Sequence, residues 1–163
     1  MPHYVEVPAQ DIEDFLSSKG FERTVHCQEV VYVRAHDRDP DVKVKVYTSI
    51  RTGAQSTRAR GADSIKVCTV FDNGRKSFGI GRFPRVHRTG SAGKVLKRTY
   101  QRMREAYARG SEWLREQEAR RTEDLAWKAE SARAEREREA EAFMSDPDMA
   151  GFVRDPDLAD VPL

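Results

Sequence analysis

Cysteine and histidine are scarce in this chain: two of the first, Cys27 and Cys68, and four of the second in 163 residues. Two cysteines cannot build a structural zinc site alone. His3, His26, His36 and His87 show no ligand spacing, so the sequence offers no metal centre and no cofactor motif. Both cysteines fall inside strand-like runs, which predicts buried, inert thiols in a reducing, cytoplasmic setting. No run of 18 apolar residues occurs, so no segment reads as a membrane span. The first residues lack the basic-then-apolar form of a secretory signal. Hydrophobic residues reach only 38% against 34% charged, and the shortfall is local. Residues 1–107 hold alternating Val, Ile, Phe and Tyr runs, enough for one modest core, whereas 115–145 is mostly Glu, Arg and Ala.

Charge is sorted along the chain. Residues 1–110 carry 21 Lys/Arg against 12 Asp/Glu, and residues 111–163 carry 8 against 15, which leaves the overall balance at only +2. The excess is concentrated in 34–109, with 19 basic and 6 acidic residues. A basic body followed by an acidic end points to polyanion binding, with the end as competitor or as a handle for a partner.

The pattern predicts an α+β fold: an antiparallel sheet of four to five strands, packed on a short N-terminal helix and on the start of a long C-terminal helix. Residues 4–7 read as a short strand. A helix is expected over 10–19, with Ile12, Phe15 and Leu16 on one face, Asp11 as its cap and Gly20 at its end. Strands are expected at 29–34, 42–50, 65–71 and 77–83. The polar run 36–41 joins the first two, and Asn73-Gly74 is a strong hairpin signal between the last two. Residues 52–63 form a long Gly/Ser/Thr-rich connection. From Ser91 a helix begins with an apolar stripe of Leu96, Tyr100, Met103, Tyr107 and Leu114, which Gly110 interrupts near the edge of the domain. Three parts follow: a basic domain at 1–114, a charged solvated helix at 115–144, and an acidic segment at 145–163 that reads as disordered.

Three constellations carry chemistry. In the second expected strand, Val42, Val44, Val46 and Ile50 point one way and Lys43, Lys45, Tyr47, Ser49 and Arg51 the other. Cations that follow phosphates, with a ring that stacks on bases, suit a single strand of nucleic acid. Lys66, Arg82 and Arg34 join that face if register allows, and Arg58 and Arg60 lie in the connection that follows it. The second constellation is the run 75–98, which has no acidic residue and contains Arg75, Lys76, Arg82, Arg85, Arg88 and Lys94, with Phe78 and Phe83 among them. Gly79 and Gly81 on one strand face leave room for a helix, base or backbone. Gly90-Ser91-Ala92-Gly93-Lys94 looks like part of a phosphate loop. Arg88 stands where the upstream glycine belongs, however, and Val95 where the magnesium-binding hydroxyl belongs, so nucleotide hydrolysis is not supported. Ser91 as a helix N-cap is the plainer reading. Two acidic-x-Lys-like pieces, at Asp41–Lys43 and Asp63–Lys66, give a nuclease only slight support.

The third constellation is the acidic end. Asp155-Pro156-Asp157-Leu158-Ala159-Asp160-Val161-Pro162-Leu163 resembles the C-terminal tip of bacterial single-stranded DNA-binding proteins, with Leu163 where that family has Phe. The resemblance covers about nine residues. It implies that Asp157, Asp160, Pro162 and Leu163 dock a partner protein and compete with DNA for the basic face. The body does not resemble that family's barrel. Through 61–67 (GADSIKV) and 85–88 (RVHR) the chain resembles short uncharacterised phage and actinobacterial proteins, which imply no activity. A sheet followed by a long helix is similar, at fold level only, to Rad52-like annealing proteins. The expected function is non-catalytic binding or annealing of nucleic acid, single-stranded before double. The alternative is an assembly protein that oligomerises through its charged helix. A small nuclease ranks third.

Overall fold

The structure, a computed structural model, describes residues 7–52, 64–88 and 90–148. The first helix, α1, spans Ala9–Ser18 and buries Ile12 and Leu16. Its N-cap is Pro8, with no side-chain cap; Asp11 lies inside the first turn, where its charge opposes the helix dipole, and is not the cap expected of it. Gly20, at φ +80°, ends the helix. Phe21 N–H donates to Leu16 O and Gly20 N–H to Ser17 O, both at 3.1 Å, satisfying two terminal carbonyls.

Five strands then run as an antiparallel meander: β1 (Glu22–His26), β2 (Glu29–His36), β3 (Asp39–Arg51), β4 (Ser64–Asp72) and β5 (Ser77–Arg82). A two-residue strand, β6 (Val86–His87), pairs with the start of β4 beyond Phe83-Pro84-Arg85. The α+β architecture matches the expectation, and β1 was not foreseen. All five of its residues are exposed, so it shows no alternation, and its turn into β2 is Cys27-Gln28. Both turn residues have positive φ, 48° and 64°, as a two-residue hairpin demands, without the Asn-Gly that advertises one. Cys27 is therefore an exposed turn residue and not a buried strand residue, while Cys68 is buried in β4. Of the strand expected over 4–7, residues 4–6 lie outside the described residues, and Val7 is buried without being in a strand.

The second long helix, α2, spans Ala92–Ser145. Ser91 caps it, its Oγ accepting from Lys94 N–H at 3.4 Å. Both helices cover the same sheet face. Ile12 and Leu16 of α1 and Val95, Met103 and Ala106 of α2 share one core with Tyr32, Val44, Val46 and Val67. Each fully buried aliphatic side chain there contributes about 1.5–3 kcal/mol. The buried line of α2 is Val95, Thr99, Met103, Ala106, Gly110 and Leu114. The stripe expected from sequence is therefore displaced: Leu96 and Tyr107 flank the core, and Tyr100 is exposed. Close approach is the reason. Thr69 Oγ1 donates to Ala106 O at 2.7 Å, and a Cβ on Gly110 would stand 3.1 Å from Val42 Cγ1 and 3.3 Å from His36 Cδ2. Gly110 is the point where helix meets sheet and not an interruption at the domain's edge.

The chain divides into two compact units, Met1–Arg115 and Glu116–Leu163. In the second, no described residue is buried, and Leu125 and Trp127 are 67% and 68% exposed. Among the described residues no helix is long and apolar enough to cross a membrane.

Candidate nucleic-acid interface

Because both helices lie on the Val42–Val44–Val46 side, the alternate residues of β3 face away from them. Lys43, Lys45 and Tyr47 are half-buried, and register sets them beside Val70, Cys68 and Lys66 of β4 and beside Ala35, Val33 and Val31 of β2. Arg82 of β5 is opposite Cys68, so it shares this face. Val31 and Cys68 on this face are buried, while Lys43, Lys45, Tyr47 and Lys66 are half-buried and Arg82 is exposed. The alternation breaks at Ser49, which adopts φ +61° where the β2–β3 register shifts. Thr48 takes the next buried position, and Ile50, expected on the core face, packs against the core while half-buried. Arg34 falls on the helix side, not on the open face. Its Nη1 donates to Lys19 O at 3.0 Å, and its guanidinium lies 5.7 Å from the Tyr107 ring centroid.

The open face has two electrostatically different ends. At the hairpin end, Asp72 holds both lysines of β3. Lys43 Nζ donates to its backbone carbonyl at 3.0 Å, and Lys45 Nζ lies 3.3 Å from Oδ2. The Gly74 N–H and the Lys45 ammonium keep the Asp72 carboxyl below its ordinary range. Arg75 and Lys76 are exposed in this hairpin, their N–H groups held by Asn73 Oδ1 at 3.0 and 2.8 Å. On the helix side of the same hairpin, Lys76 Nζ lies 5.3 Å from the centroid of Phe78, which stacks on Phe71 at 5.1 Å, and Trp113 of α2 completes the group.

At the opposite end a cleft of about 320 Å³ opens between β3, β4 and the link into β6. Arg51, Lys66 and Arg85 line it together with Tyr47 and Glu29. No described carboxylate forms an ion pair with any of the three cations. Ser49 shapes the cleft: its N–H donates to Glu29 Oε1 at 2.9 Å and its Oγ to Ser64 O at 2.6 Å. Thr52 N–H ties the end of β3 to Gln28 O at 2.8 Å. Lys66 Nζ sits 5.2 Å from the Tyr47 ring centroid, and burial pushes the Tyr47 phenol up, so it stays a neutral donor.

The structure thus brings Lys43, Lys45, Tyr47, Lys66 and Arg82 onto one face, with Arg51 and Arg85 at its end. It does not bring Arg88 there. Arg88 is 5% exposed, and its Nη1 and Nη2 donate to Thr48 O and Val7 O at 3.4 and 3.3 Å, so it fastens the segment before α1 to the sheet. Lys94 is exposed in the first turn of α2. Gly79 and Gly81 do not share a face, because a register shift sets Gly79 opposite Val70 and Gly81 opposite Thr69. Arg109 of α2 fills the space at Gly81; a Cβ there would lie 2.8 Å from Arg109 Cγ. Phe83 packs against the core, so of the two phenylalanines in the basic run only Phe78 is exposed. Arg58, Arg60 and Asp63, and the end residues Asp157, Asp160, Pro162 and Leu163, lie outside the described residues. Sequence reasoning missed Asp72, Glu29 and Ser64, whose roles depend on register. The end of the Val alternation at Thr48-Ser49 was the one available signal for the bulge.

A second cleft, of about 560 Å³, lies on the helix side between the end of α1, β2 and α2, with Phe21, Met103 and Tyr107 in its wall and Arg104 and Arg115 at its rim. Among the described residues no three His, Cys, Asp or Glu side chains group as metal ligands. The chain matches no protein-family model, no curated protein and no solved structure.

Proposed function

We propose that this protein binds single-stranded nucleic acid, without catalysing a reaction on it, across the open face of its sheet. One observation carries the reading: α1 and the start of α2 pack on one side of the sheet, and the other side presents Tyr47 among Lys66, Arg82 and Arg51. Cations spaced along strands follow a phosphate backbone, and a half-buried ring beside them offers a base a stacking surface. In this reading the acidic end, with Asp157, Asp160, Pro162 and Leu163, competes for the same cations or docks a protein partner. Labelled single- and double-stranded oligonucleotides, titrated at two salt concentrations, test the proposal. Single strands should bind more tightly, and affinity should fall steeply with salt as counterions are released. No binding to any oligonucleotide at low salt overturns it.

A second reading, assembly through the charged helix, is favoured by the exposure of Leu125, Trp127, Phe143 and Met144 in the second unit. Sedimentation equilibrium over a hundredfold range of concentration separates the two: a monomer throughout removes assembly.

A further inference from the structure

We infer that the cleft bounded by Arg51, Lys66 and Arg85 receives a phosphomonoester, supplied by the phosphorylated end of the bound strand. The inference rests on the nucleic-acid reading and adds end recognition to it.

Charge is the first argument. Among the described residues the cleft holds three cations and one carboxylate, and Glu29 already spends one oxygen on the Ser49 N–H. The net charge is about +2. An internal phosphodiester brings one negative charge, whereas a terminal phosphate brings about −1.5 to −2 at neutral pH. The terminal group matches the cleft and the internal one leaves it under-neutralised. At the hairpin end of the same face Lys45 already has the Asp72 carboxylate 3.3 Å away, and Lys43 donates to the Asp72 backbone carbonyl.

Donor chemistry is the second argument. Two guanidinium groups can each grip phosphate oxygens in bidentate fashion, and Lys66 adds a mobile point charge. Tyr47 offers a neutral hydroxyl. A volume of about 320 Å³ is enough for a terminal nucleotide and too small for several.

Backbone strain is the third. Apart from the Cys27-Gln28 hairpin turn, Ser49 is the one non-glycine residue among those described with positive φ, and it lines the cleft. Strained conformations persist where the surroundings over-determine them, and they gather at ligand sites.

The test is fluorescence anisotropy on the full chain with one single-stranded sequence in three forms: 5′-phosphate, 3′-phosphate and both ends hydroxyl. Inorganic phosphate and a nucleoside 5′-monophosphate serve as competitors. One of the phosphorylated strands should bind about tenfold more tightly than the hydroxyl strand, the size of one added set of charge-assisted hydrogen bonds. In Lys66→Gln and Arg85→Gln the ratio between the two affinities should fall towards one. If all three strands bind wild type equally, end recognition is wrong while nucleic-acid binding stands. If none binds, the broader reading falls with it. If the free monophosphate competes at the concentration at which the phosphorylated strand saturates, the ligand is a free nucleotide and the strand end is not its source.

Discussion

The two faces of this sheet are written in alternate residues of the same strand, yet they obey different rules. On the helix side of β3, Val42, Val44 and Val46 are buried, and so is Gly110 of the helix that meets them. On the open side, Lys43, Lys45 and Tyr47 are held half-buried by polar and ring contacts. The covered face is decided by volume: a change of one methyl group is felt because nothing can give. The open face is decided by charge, and its residues differ in what already neutralises them. Substitutions should therefore separate by face, with stability lost on one side and ligand affinity on the other.

The largest expected effect is on the covered face. Met103→Ala should lower the unfolding free energy by about 2–5 kcal/mol in urea titration, since Met103 is buried among both helices and the sheet. The urea midpoint should move while the affinity of the remaining folded protein for an oligonucleotide does not. A parallel loss of intrinsic affinity would mean that the faces are not separate.

Next in size is the open face. Lys66→Glu with Arg85→Glu should weaken single-strand binding and flatten its dependence on the logarithm of salt by about 0.7 for each phosphate contact removed. The melting temperature should hardly change, because Arg85 is exposed and neither cation has a described carboxylate partner. Lys43→Gln with Lys45→Gln should have the weaker effect on binding, because the Asp72 carboxylate already pairs with Lys45 and the Asp72 carbonyl holds Lys43. If the Lys43/Lys45 pair proves the more damaging, the assignment of the two ends is reversed. Asp72→Asn sharpens the point. It releases Lys45 from its ion pair, so affinity should rise by up to about fivefold at low salt, the upper range for a surface pair. An unchanged or lower affinity would show that Asp72 orients the lysines and does not occupy them.

A smaller effect, on the covered face, follows pH. His36 is buried, stacked on Tyr107 at 4.2 Å, its Nδ1 accepting from Arg38 N–H and its Nε2 beside Ser111 Oγ at 2.8 Å. Burial pushes its imidazole below the ordinary value; Arg38 and Arg34 add to the shift, and Asp37 and Asp39 oppose it. The folded chain therefore resists a proton that the unfolded chain takes up at about pH 6.5. The stability that His36 contributes is complete above that pH and is lost as pH falls towards the folded value. Urea midpoints at pH 7.5 and 5.5 should differ in that direction, and His36→Asn should remove part of the difference. A midpoint that rises on acidification would contradict the buried neutral ring.

Much of this comparison was legible before any coordinates. Strict alternation over Val42–Val46 announces a strand with two unlike faces, and Asn73-Gly74 announces the hairpin that positions Asp72. What stayed hidden depends on tertiary neighbours. A glycine inside a helix costs about 1 kcal/mol, so Gly110 reads as a break until Val42 and His36 are seen against it. Arg88 sits in a run of cations and reads as one more of them; only the fold sets two backbone carbonyls beside it. The uneven ends of the open face are a matter of register. Asp72 is two residues beyond Val70, which pairs with Lys43, and no local pattern contains that distance.

The smallest effect is expected where neither face's rule applies. Leu125 is 67% exposed in a helix held by its own propensity and by pairs such as Arg133–Glu137, whose atoms lie 3.0 Å apart in full solvent. Such pairs contribute only about 0.3–0.5 kcal/mol each. Leu125→Ala removes little buried surface and puts in a better helix former, so its effect on unfolding should stay within about 0.5 kcal/mol. The measurement is worth making because the assembly reading predicts something else. If Leu125 and Trp127 are covered by a second copy, Leu125→Ala should lower thermal stability by an amount that grows with protein concentration, since only the associated form is weakened. A loss comparable to that of Met103→Ala, and dependent on concentration, would move the protein's working surface from the sheet to the helix.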